Sequence, residues 1–126
     1  MAGALVGIGI DSVDIERFAA VLERRSSLAR RVFTAGEREY AGRLANPAPA
    51  LAGRFAAKEA AMKALGVGLG SIDWSDVEVV RSSGGEPLLA VSGRAAALAA
   101  DKGIGSWLVS ITHTETVASA VVAGVE

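Results

Sequence analysis

The chain has no cysteine and one histidine in 126 residues, so disulfide staples, thiolate metal sites and a zinc centre built mainly on imidazoles are excluded. The lack of thiols is compatible with a reducing cytosol. Aromatic residues make up only 5% of a chain that is 51% hydrophobic, so the core has to be built largely from Ala, Val, Leu and Ile. No uncharged stretch reaches the ~18–20 apolar residues that a membrane span needs. The first residues, MAGALVGIGIDSVDIERF, carry no basic leader, and their apolar run is interrupted by Gly and ended by Asp11, unlike a secretory signal. A soluble, cytoplasmic protein is expected, and the length suits one domain with a real core.

Lysine is scarce as well. Of three lysines, two, Lys58 and Lys63, fall within one alanine-rich helix, whereas arginine occurs ten times. Seven of those arginines lie between Arg17 and Arg43, and the run Arg24, Arg25, Arg30, Arg31 contains no acid. The formal net charge of −1 argues against a general nucleic-acid binder. A local basic face is expected instead, either solvated or set against an acidic partner.

ALVGIGI, residues 4–10, reads as a buried first strand that places Asp11 at its C-terminal end. Asp14 can cap a helix running to about Arg30, with Ile15, Phe18, Ala19 and Leu22 on its apolar face and Arg17, Arg24 and Arg31 on the other. Thr34-Ala35-Gly36-Glu37 has capping-box spacing, so a short helix should run to about Leu44. After Asn46-Pro47-Ala48-Pro49 comes a long helix through RFAAKEAAMKAL, closed by Gly66. DVEVVR, SSGG and the segment from Pro87 predict a β-hairpin, Ser92 caps a helix to about Lys102, and SWLVSIT with TVASAVVAG predicts a final hairpin around His113. The order is mixed α+β with a largely antiparallel sheet packed by a long central helix.

In that helix Leu51, Phe55, Met62 and Leu65 project to one stripe, with Lys58 inside it and Glu59 at its shoulder. Spacing alone leaves two readings. One is an i,i+4 pair of Glu59 with Lys63 while Lys58 snorkels along the stripe, the more common use of such charges. The other is chemical: Asp11 and Glu59, two carboxylates from different elements, suit Mg²⁺, and lysines beside them suit phosphate. A Ser-His-acid set would have to use His113 without a G-x-S-x-G elbow, GIGIDS lacks the third glycine of a dinucleotide fingerprint, and the loop at 66–73 has no G-K-[ST]. His113 shares the parity of Val109 and Ile111, which fits a packed histidine and a ligand contact equally. Trp74 and Trp107 read as core or interface residues.

GIGIDSVDIERF, FTAGEREYA, LAGRFAAKEAAMKALG and VSITHT, in this order and spacing, resemble the holo-acyl-carrier-protein synthases, the small 4′-phosphopantetheinyl transferases. The resemblance covers essentially the whole chain and implies their fold. It implies transfer of 4′-phosphopantetheine from coenzyme A to a serine of an apo acyl carrier protein, with release of 3′,5′-ADP, for fatty acid or polyketide synthesis. Asp11 and Glu59 then match the Mg²⁺ ligands. Arg54, Lys58 and Lys63 match positions near the coenzyme's phosphates, while Gly66 and His113 border its pocket. Lys63 and Glu59 are the candidate catalytic residues, and Glu59, directly or through a metal-bound water, is the candidate base. A homotrimer with sites shared between neighbours is implied, as is docking of the acidic carrier protein on the first helix through Arg17 and Arg24, with Arg31 a looser match. Two departures stand out: Glu86 precedes Pro87 where a basic residue is common in the family, and Glu115-Thr116-Val117 replaces basic or aromatic residues.

Overall fold

The computed structural model describes residues 3–126. Strand β1 (Leu5–Asp14) leads into helices α1 (Ile15–Arg24), α2 (Leu28–Val32), α3 (Ala35–Gly42) and α4 (Ala48–Leu65), followed by a 3₁₀ turn at Trp74–Asp76. Strands β2 (Val77–Arg81) and β3 (Pro87–Val91), helix α5 (Gly93–Asp101) and strands β4 (Ser106–His113) and β5 (Val117–Val125) complete the chain. A three-stranded antiparallel sheet has the order β1-β5-β4, and β2-β3 form a separate antiparallel hairpin. The α+β architecture with a long central helix is as expected.

Two boundaries differ from the sequence reading. Strand β1 runs on to Asp14, because Asp11 through Asp14 keep pairing with Ala120 through Val117, so Asp11 sits within the strand and not at its end. The first helix stops at Arg24, where Arg25 leaves the helical region at φ −124° and ψ 82°. Ser26 and Ser27, which favour turns over helix interiors, let the chain restart as α2 and bury Val32 and Phe33. Asp14 caps α1 as anticipated, its carboxylate accepting from the Arg17 amide at 2.8 Å. Ser92 stands before α5 without a side-chain cap bond; the Asp76 carboxylate accepts from the Ala95 amide instead, at 3.3 Å.

Helix α4 is buried on almost every side, and the faces it buries are lined by alanine. Ala52, Ala56, Ala57, Ala60, Ala61 and Leu65 are fully covered. Leu51, Phe55, Glu59 and Lys63 form the least covered stripe, each one turn after the last. The expected buried stripe therefore divides, with Met62 and Leu65 inside and Leu51 and Phe55 on the open edge. The reason is close approach: a Cβ on Gly9 would collide with the Ala60 carbonyl oxygen, and one on Gly7 with that of Ala64. Backbone packed on backbone buries small residues and turns large ones outward.

Lys58 lies on a buried face, only 1% exposed. Its ammonium is 2.8 Å from the Glu37 carboxylate and donates to the carbonyls of Trp74, at 3.1 Å, and Val77. Burial pulls the Lys58 pKa down and Glu37 pulls it back. Glu37 also closes the capping box with Thr34 and accepts from the Val79 amide at 2.9 Å. One carboxylate thus joins α3, α4 and β2. Glu37→Ala strands a buried ammonium and two amide donors and should lower the unfolding free energy by about 3–5 kcal/mol. Glu39→Ala, which removes the exposed Glu39–Arg43 pair at 2.6 Å, should change it by less than about 1 kcal/mol in the same urea titration.

Candidate active site

Asp11 and Glu59 come together because β1 crosses the open stripe of α4. Extended backbone with alternating faces sets Asp11 on the side of β1 from which it reaches the helix, and Glu59 occupies the half-covered stripe between Phe55 and Lys63. Lys63, one turn beyond Glu59, donates to the Ile10 carbonyl at 2.9 Å and to the Asp11 carboxylate at 3.3 Å. The simple i,i+4 pair of Glu59 with Lys63 does not form within ion-pair distance; among the described residues Lys63 pairs with Asp11. Partial burial pushes the Glu59 carboxyl above its usual range, the Asp11 charge pushes it the same way, and Lys63 opposes both.

Asp11 and Glu59 edge a cleft of about 500 Å³ that also takes in Asp14, Arg17, Phe18, Phe55 and Trp74, and Lys63 stands beside it, bonded to Asp11. Its aromatic floor is continuous, with the Phe55 ring centre 5.0 Å from Phe18 and 5.2 Å from Trp74. Trp74, which sequence reasoning places in a core or an interface, thus also lines this cleft. The Asp11 and Glu59 carboxylates, beside an aromatic wall, form an all-oxygen donor set that fits Mg²⁺. Among the described residues no third Asp, Glu or His joins them, and Mg²⁺ ordinarily fills such positions with phosphate oxygens and water.

Arg54 and His113 lie elsewhere. They line a second cleft, about 570 Å³, with Tyr40, Asn46, Arg81 and Pro87. The Arg54 guanidinium lies 4.3 Å from the Tyr40 ring centre and reaches the Ala50 carbonyl at 3.5 Å. Burial lowers its pKa, against the pull of Glu37 and Tyr40. His113 Nδ1 is 3.1 Å from the Thr114 carbonyl, a contact in which this nitrogen donates and Nε2 is left for an outside partner.

The sequence-predicted residues accordingly fall into separate groups. Asp11, Glu59 and Arg17 share the first cleft, with Lys63 joined to it through Asp11, and Arg54 and His113 share the second. Lys58, expected beside phosphate, is instead enclosed by Glu37, Trp74 and Val77, because its helix face points into the core. Gly66 lines neither cleft; it closes α4 in the left-handed region at φ 72°, a conformation that favours glycine. Arg24 is exposed on the last turn of α1, and Arg31 lines a hollow with Trp74 and Arg94. Sequence reasoning missed Tyr40 and Arg81 in the second cleft, and the capping-box spacing that found Glu37 carried no sign of its lysine partner.

The chain is similar to known proteins in sequence and in fold. The family model of the 4′-phosphopantetheinyl transferase superfamily matches residues 7–120. The holo-[acyl-carrier-protein] synthase of Frankia casuarinae is 51% identical over 119 residues, 94% of this chain and 96% of that protein. The enzyme of the same name from Streptomyces coelicolor is 47% identical over the same shares of both chains. Among solved structures, the Bacillus anthracis holo-(acyl-carrier-protein) synthase in complex with CoA (3′,5′-ADP) superposes with a TM-score of 0.81 at 32% identity, covering 100% of this chain and 99% of that one. The Helicobacter pylori synthase in complex with coenzyme A gives a TM-score of 0.81 at 31% identity, over 94% of this chain and 99% of that one. Matched in sequence along nearly its whole length and in fold throughout, this chain belongs to the 4′-phosphopantetheinyl transferase superfamily.

Proposed function

We propose that the protein transfers the 4′-phosphopantetheine group of coenzyme A to a serine hydroxyl of an apo acyl carrier protein, as a cytoplasmic holo-[acyl-carrier-protein] synthase, releasing 3′,5′-ADP. The observation that carries this reading is the meeting of Asp11 and Glu59 on the wall of an aromatic-floored cleft, with Lys63 bonded to Asp11, in a chain 51% identical to a synthase of that name. Asp11 and Glu59 would hold Mg²⁺, which when bound supplies positive charge to the diphosphate of coenzyme A. Lys63 swings on a flexible stem and brings a point charge to the same oxygens. Glu59, its carboxyl already pushed up by burial and by Asp11, is suited to take the proton of the attacking serine. The aromatic floor gives the pantetheine arm an apolar surface to lie along.

The nucleotide end belongs with Arg54 and His113, yet these line the other cleft of the same chain. A site shared between neighbouring subunits accommodates both, with the first cleft of one copy meeting the second cleft of the next. The sheet supports such an assembly: Ile8, Ile10 and Leu108, 60%, 64% and 65% exposed, stand on the face turned away from α4. We assign this apolar face to the core of a homotrimer. The acidic carrier protein docks on the exposed arginine side of α1, at Arg17 and Arg24, next to the Asp11–Glu59 cleft.

Glu59→Gln should keep the fold and lose about 10²-fold or more of the activity, measured as mass gain of an apo carrier protein incubated with coenzyme A and Mg²⁺. Normal turnover by that variant would remove Glu59 from the site, and hydrolysis of coenzyme A without any acceptor would mark a phosphohydrolase instead. Arg24→Glu should raise the KM for carrier protein with little change in that for coenzyme A; an equal rise in both would move the docking face elsewhere. Leu108→Glu should give a smaller species by analytical ultracentrifugation and reduced activity, whereas an unchanged assembly would place the subunit contact on another face.

A further inference from the structure

The Asp11 carboxylate already carries a cation. The Lys63 ammonium stands 3.3 Å from its Oδ1 and donates as well to the Ile10 carbonyl at 2.9 Å. The two ends of this lysine are held differently. Its root is pressed against β1, since a Cβ on Gly9 would lie 2.8 Å from the Lys63 Cβ. The side chain beyond is 55% exposed, against 19% for that of Asp11, and among the described residues it reaches no second carboxylate. A flexible four-carbon stem fixed at the root and open at the tip can carry its charge from one oxygen to another. Glu59, one turn earlier on the same stripe, has no ammonium or guanidinium within ion-pair distance among the described residues.

A divalent cation that takes Asp11 and Glu59 together meets the Lys63 ammonium at close range, and the two repel. Two carboxylates do not balance an ammonium and a divalent cation. A diphosphate does, because it brings about two negative charges and offers oxygens to both cations at once. We propose that Lys63 is a tethered cation that keeps Mg²⁺ from binding tightly to Asp11 and Glu59 until a diphosphate enters, so that metal and diphosphate are taken up as a coupled pair. On the transferase reading above, on which this inference rests, the diphosphate is that of coenzyme A. Lys63 then passes from Asp11 to a phosphate oxygen, and the carboxylate it leaves is free for the metal. Each ligand removes part of the cost of binding the other, so the coupling is the same in both directions. The Lys63–Asp11 pair thus holds the site in a form that neither metal nor diphosphate alone occupies well.

The test is the affinity of the intact protein for Mn²⁺, an oxygen-seeking stand-in for Mg²⁺, read from the paramagnetic resonance of the free ion with and without coenzyme A. Lys63→Met, which keeps a stem and removes the charge, should bind Mn²⁺ alone about ten-fold more tightly than wild type. Arg17→Met removes a charge from the same cleft that makes no ion pair with Asp11, and should stay within about two-fold of wild type, as should Lys63→Arg. In wild type, coenzyme A should tighten Mn²⁺ by the factor by which Mn²⁺ tightens coenzyme A, and in Lys63→Met that factor should fall about ten-fold. An unchanged Mn²⁺ affinity in Lys63→Met, or an equal gain in Arg17→Met, would overturn the inference and leave Lys63 and Asp11 as an ordinary surface pair. Wild-type protein that binds no coenzyme A, with or without metal, would overturn the transferase reading along with it. Coenzyme A binding with the same coupling factor in wild type and Lys63→Met would overturn this inference alone.

Discussion

The contact on which the rest of the molecule depends is the approach of α4 to β1, backbone against backbone. Gly7 and Gly9 leave room for the carbonyls of Ala64 and Ala60, where any side chain would collide. Because the helix lies so near the strand, a carboxylate carried by β1 and one carried by α4 can face a common point without long side chains. The approach also explains the alanine content of the helix: at this distance there is no volume for leucine on the sheet side. The large residues Phe55 and Leu51 are moved to the remaining edge, where Phe55 becomes part of the cleft wall.

A second tie fixes the rotation of the helix. Lys58 and Glu37 form a buried pair whose remaining hydrogen-bonding capacity is taken up by backbone groups of Thr34, Trp74, Val77 and Val79. A buried ion pair is a poor source of net stability compared with an apolar contact, but it tolerates few alternative arrangements. Here it links three elements around α4. With the Lys58 face held inward, Glu59 is presented on the open stripe beside it.

Much of this was legible in the sequence. The capping box at Thr34, the cap at Asp14, the left-handed Gly66 and both hairpins follow from local chemistry that does not depend on distant partners. That Asp11, Glu59 and Lys63 lie near one another was anticipated as well, from acids and bases carried on different elements and from the family resemblance. What local reasoning could not reach was decided by contacts across the fold. A helical wheel treats Leu and Phe as the inward face, and it fails when glycine in a neighbouring strand makes alanine the better-packed residue. Residue type alone groups Lys58 with Lys63 as two similar charges of one helix, although Glu37, far off in sequence, claims the first and Asp11 the second. Arg81 carries no motif at all; its place is set by hairpin register and by the ring of Tyr40.

Helix α4 furnishes Arg54 to one cleft and Glu59 to the other. Five residues apart, the two side chains leave the axis about 140° from each other. Neither cleft can therefore be retuned by rolling or sliding the helix without disturbing its counterpart by a similar amount. Sequence drift in the surrounding core has to conserve the orientation of a single rod, which leaves the loops and the strand ends as the places where substrate preference can change freely.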